Sequence, residues 1–121
     1  MIAVDQTTFG YPEGNCFSAC VASLLELELE QVPHFMGDDR WFARFRGWAR
    51  QIGLWAIVLP AGGAWQPLGY CILAGKSPRG DFAHAVVGWG MQVVHDPHPS
   101  RAGIETCTEV IVLVPMNPAV R

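Results

Sequence analysis

Apolar residues recur at three- and four-residue intervals early in the chain, where Phe17, Cys20, Val21, Leu24 and Leu25 share one side of a helix opened by Asn15, a favourable N-cap residue. The stretch Gly14 to Glu30 reads as this long apolar helix. Ahead of it, Met1 to Asn15 has no sustained period and reads as a surface loop. After the break at Val32-Pro33, Asp38 or Asp39 is placed to cap a second helix. Its stripe is Trp41, Phe42, Phe45, Trp48, Ala49 and Ile52, and its stop is Gly53. Gly47 inside that helix suggests a close contact.

From Leu54 the period shortens. Trp55–Leu59, Leu68–Ala74, Phe82–Trp89, Gln92–Asp96 and Glu109–Val114 read as short strands, with Pro60–Pro67 as a loop and a proline-rich break after Asp96. Helices followed by strands predict an α+β fold, the helices packed against one side of a mostly antiparallel sheet.

Composition narrows the picture. With 121 residues, half of them apolar, residues 1–121 make one domain. A net charge of −3 argues against a nucleic-acid binder. No apolar run of about 18 residues and no signal-peptide pattern is present, so no membrane partner is expected and the chain reads as cytoplasmic. The four cysteines read as reduced thiols.

Cys20 belongs to the apolar face, whereas Cys16 sits one position after the cap. There the exposed N–H groups and helix dipole favour an anion, so its thiolate should form more readily than that of a free cysteine. Cys16 is the candidate nucleophile. A thiol nucleophile needs a base and a group that orients the base. His84 opens one strand and Asp96 closes the next. A three-residue loop at Trp89-Gly90-Met91 would pair 84 with 96, whereas a two-residue loop would set His84 opposite His95, so an odd loop or a bulge is predicted. His95 should then face the other way. His34 and His98 read as surface residues, and Trp41, Trp65 or Trp89 are candidates to line a cleft.

A Gln upstream, Asn-Cys opening an apolar helix, a second helix, a His at a strand start and an Asp-Pro at the end of the next strand resemble the papain-like cysteine peptidase superfamily. The likeness is to the small bacterial branch that includes the leader peptidases of bacteriocin exporters. It implies a minimal papain-like fold and thiol-dependent hydrolysis of a peptide or isopeptide bond through an acyl-thioester. By that resemblance Cys16 is the nucleophile, His84 the general base and acid, and Asp96 the orienting residue. Gln6 is then the side-chain oxyanion donor, beside the backbone N–H of Cys16, and the partner is a peptide or protein substrate.

No cofactor is expected. Cys16, Cys20, His84, His95, Asp96 and His98 are possible ligands, but no paired C-x-x-C or H-E-x-x-H accompanies them, so no metal is expected either. Two other readings stand. The same fold without activity would be a peptide-binding or inhibitory protein, and the same chemistry with another acceptor would be an amidase, deamidase or acyl transferase.

Overall fold

A computed structural model describes residues 1–63 and 65–117; Ala64, from the loop expected over 60–67, and residues 118–121 of the expected domain lie outside the described residues. Two α-helices, α1 (Cys16–Leu25) and α2 (Trp41–Gln51), are joined through a 3₁₀ turn at Leu29–Gln31. Five strands follow: β1 (Leu54–Pro60), β2 (Tyr70–Lys76), β3 (Ala83–Trp89), β4 (Gln92–His95) and β5 (Cys107–Pro115). They form one antiparallel sheet in the order β1-β5-β2-β3-β4. The architecture is α+β. Among the described residues, no helix is long and apolar enough to cross a membrane.

The period-two alternation of the strands sorts their residues between two faces. Ala56, Ile72, Ala85, Val87 and Ile111 meet Phe17, Cys20, Val21 and Phe45 in the main core, under the helices. Cys71, Leu73, Val86 and Val110 form a smaller cluster with Trp65, Ile104 and Val112. α1 packs mainly on β3 and α2 on β1. Phe17 and Phe45, with ring centroids 4.8 Å apart and nearly perpendicular, join the two helices.

α1 ends sooner than its apolar run suggested. Glu26 adopts a left-handed conformation (φ 57°), and both its N–H and that of Leu27 bond to the Ala22 carbonyl. The Leu25-Glu26-Leu27-Glu28-Leu29 alternation has the period of a strand, and a continued helix would spread those leucines around its surface. The turn instead brings Leu27 back onto the core.

α2 runs as expected to Gln51, and Gly53 (φ +84°) turns the chain out of it. Asp38 acts from before the helix: its carboxylate accepts the Arg40 N–H and pairs with Arg44, both at 2.8 Å. The close contact expected at Gly47 is absent, since a Cβ built there meets nothing within 4 Å.

Candidate active site

The N-terminal fifteen residues have no regular structure, yet they are tied down rather than loose. Ser23 of α1 takes up the Val4 N–H at 2.9 Å, and the Gln6 N–H donates to the Pro97 carbonyl at 3.1 Å. Asp5 accepts two bonds from Arg101, at 2.6 and 2.9 Å, a bidentate pair across the chain's ends. Asn15 does not cap α1 with its side chain. Its Oδ1 accepts the N–H groups of Thr7 and Thr8, and its Nδ2 donates to Thr7 Oγ1. The loop expected on the surface thereby becomes a wall, and Gln6 is buried within it.

The hairpin of β3 and β4 brings His84 to Asp96 by the bulge, not by an odd loop. Its turn is two residues long, Gly90-Met91, closing Trp89 against Gln92. Left alone, that register would set His84 against Pro97. Between Gly88↔Val93 and Val87↔His95, however, β4 gains one residue and the register sum becomes even. Asp96, just past the end of β4, is then a diagonal neighbour of His84 on the same face. His84 Nε2 and Asp96 Oδ1 are 2.7 Å apart, and both side chains are buried. His95 faces the other way, as expected, reaching the Val4 carbonyl and Asp5.

The Asp96 carboxylate is fully engaged. Oδ1 also accepts the His98 N–H at 2.9 Å, and Oδ2 accepts the Gly103 N–H at 2.7 Å. Desolvation opposes its ionisation, but the bonds from His84, His98 and Gly103 together hold its pKa below the usual carboxylate value. His84 behaves oppositely. Desolvation depresses its pKa, and the hydrogen bond and charge of Asp96 only partly restore it. The resting pair is a neutral imidazole on a carboxylate.

Cys16, at the first position of α1, opens onto a cleft of about 490 Å³ that His84 and Gln6 also line. Ala83 and Ala85, on either side of His84, line it as well, so the cleft reaches around the start of β3. Gly75 pairs with His84 on β2, and any Cβ there would lie 1.8 Å from the Thr106 carbonyl oxygen.

The expectation of an easily formed thiolate is overturned. Burial raises the Cys16 pKa, outweighing the backbone hydrogen bonds from Ala85, Phe17 and Cys16 itself, and the Asp96 charge adds to the rise. The helix-terminus effect is worth at most about 2 kcal/mol even in partly buried settings, and dehydration of a thiolate exceeds it here. Cys20 is fully buried and its thiol is raised further, as befits a core residue.

Gln6 Nε2 donates to the Thr8 carbonyl at 2.9 Å, while its Oε1 is buried without a partner among the described residues. One amide proton is thus committed to holding the side chain, and the second remains. Of the three tryptophans considered for the cleft, Trp41 lines it. Trp65 packs in the smaller cluster, and Trp89 stacks edge-on against Tyr70.

His98 is part-exposed in its loop, as expected, but it does more than face solvent. It lines the cleft, and its ring meets Phe9 and His84 edge to face, at 5.3 and 6.2 Å. A signal for it was present: an Asp accepting the N–H two residues on, in Asp96-Pro97-His98, is an Asx-turn. Arg79, Phe9, Tyr11 and Phe82 also line the cleft, from loops without a pattern to flag them. Among the described residues, no group of three or more His, Cys, Asp and Glu side chains is arranged to hold a metal ion. Comparison with protein-family models, with curated proteins and with solved structures finds no match to this chain.

Proposed function

We propose that the chain is a papain-like thiol hydrolase of amide bonds, with Cys16 as nucleophile, His84 as general base and acid, and Asp96 orienting the imidazole. The observation that carries this reading is the buried His84–Asp96 bond of 2.7 Å on a cleft that also holds Cys16. The order Gln, Cys, His, Asp along the chain supports the papain-like assignment.

Because Asp96 occupies Nε2, the base is Nδ1 of His84. Nδ1 removes the Cys16 proton as the sulfur attacks the carbonyl carbon, so thiolate forms only with substrate in place. Asp96 stabilises the imidazolium. The oxyanion is held by the Cys16 backbone N–H and the free proton of Gln6 Nε2, one such donor being worth roughly 10²–10³ in rate. Collapse breaks the C–N bond, and Nδ1–H protonates the departing amine. Water, deprotonated by the same nitrogen, then attacks the thioester and releases the acid and the Cys16 thiol. An amine in place of water would make the chain a transferase.

The raised pKa of Cys16 favours a second reading, a peptide-holding protein on the same cleft. The two separate on digestion of a complex peptide library, with new termini identified by mass spectrometry. Cleavage by the wild type that vanishes in Cys16→Ala and in His84→Ala supports the hydrolase. Peptides retained uncut, equally by all three proteins, would replace it with the binder.

A further inference from the structure

We infer that Arg79 is the specificity-determining residue of the cleft, anchoring a carboxylate of the substrate beside the scissile amide; this rests on the hydrolase reading above. Arg79 lies in the loop between β2 and β3. That loop is closed by the Ser77 N–H donating to the Phe82 carbonyl at 2.9 Å, and the Arg79 N–H is fixed on Ser77 Oγ at 3.1 Å.

The Arg79 side chain makes one protein hydrogen bond among the described residues, from Nη1 to Ser100 Oγ at 3.1 Å. A guanidinium carries five N–H donors, so four remain. Other cations nearby are paired. Arg101 is held by Asp5 and Lys76 by Glu105, whereas no carboxylate stands within ion-pair distance of Arg79 among the described residues.

The guanidinium shares the cleft wall with Phe9, Phe82 and Trp41 and lies close enough to His84 and His98 to disfavour their protonation. A charge kept unpaired against such walls is suited to a planar, bidentate anion, the geometry in which arginine differs most from lysine. Glu109 also lines the cleft and repels an anion from the β5 wall, which leaves the Arg79 loop as the place for it. The substrate class is therefore an amide or peptide with a bulky apolar group and a carboxylate near the bond cut. That carboxylate is either an acidic side chain or a free α-carboxylate.

The test uses matched peptidyl acyloxymethyl ketones, Phe-Glu, Phe-Gln and Phe-Lys, with loss of the carboxylate leaving group and thioether formation at Cys16 followed by mass spectrometry. A second arm measures protection of Cys16 from the Phe-Gln probe by Phe-containing peptides that end in a free carboxylate or in a carboxamide. A charge-assisted bond is worth about 1.5–3 kcal/mol, so the favoured carboxylate should gain roughly ten-fold or more in one arm. Preference in the first arm identifies a side chain, and in the second a chain terminus.

Arg79→Gln should bring the compared ligands together, and Arg79→Glu should turn the first arm toward Phe-Lys. Both variants are checked for native melting. Labelling that depends on His84 but ignores charge in both arms, or a carboxylate preference that survives Arg79→Gln, would overturn the anchor and leave the hydrolase standing. Labelling unchanged in His84→Ala would remove the hydrolase reading and the anchor with it.

Discussion

At the residue scale, the proposed site rests as a neutral pair. His84 has a depressed pKa and Cys16 a raised one, so the active protonation state of the free protein extends from below pH 6.5 to above pH 9. The acid limb of kcat/KM should accordingly fall below 6.5. Asp96→Asn removes a hydrogen bond and a charge that both raise the His84 pKa, so the limb should move further down. The same substitution should lower kcat/KM by roughly 10²–10⁴, because the imidazole loses its fixed orientation. An acid limb that stays in place would show that another group titrates. The three residues were legible singly, as a helix-start thiol, a strand-start histidine and an Asp-Pro. The dehydration that raises the thiol pKa was not, because it depends on how deeply α1 seats against β3. Arg79 gave no signal at all, since a lone arginine in a loop acquires meaning only from the walls around it.

At the scale of elements, period and punctuation placed all five strands and both helices, with errors of a few residues at their ends. The early end of α1 was missed because a run of leucines was counted without its change of period at Leu25. Gly47 was misjudged in the opposite direction. A glycine in open space inside a helix only loses stability, so Gly47→Ala should stabilise the protein by about 1 kcal/mol in denaturant titrations. An unchanged or lowered midpoint would contradict the open surroundings.

The bulge admits a sharper trial. Val94 is the added residue of an edge strand and is exposed, so its deletion should leave the sheet folded. Because Val94 is the residue without a partner, the shortened chain still sets His95 opposite Val87 and keeps Asp96 on the face of His84. Activity should then persist, with little change in melting temperature. A shortened chain that falls to the activity of Asp96→Ala would mean that the local twist of the bulge, and not the register alone, sets the pair.

At the scale of the whole molecule, the buried ionisable groups define a stability plateau. His84 and Asp96 have folded pKa values below their ordinary 6.5 and 3.8, so the unfolded chain takes up protons first as pH falls. Their contribution is complete above 6.5 for His84 and above 3.8 for Asp96, and is lost as pH drops through each folded value. Cys16 and Cys20 have folded values above 9.0. Their contribution is complete below that pH and is lost as pH rises through the folded values. Thermal melts should therefore be highest between about pH 6.5 and 9, and His84→Gln should flatten the decline just below 6.5. A steep loss beginning above 7 would mean that other groups govern.

The position of β5 has a consequence in time. It is the last strand among the described residues, yet it lies between β1 and β2 and provides Glu109 and Ile111 to the cleft. Asp96, likewise, gains its final donor only from Gly103. A chain emerging from the ribosome can display Cys16 and His84 long before the groups around them are complete. On the hydrolase reading, the nascent chain should therefore stay unreactive toward its own unfolded segments and its neighbours on the polysome until β5 pairs between β1 and β2.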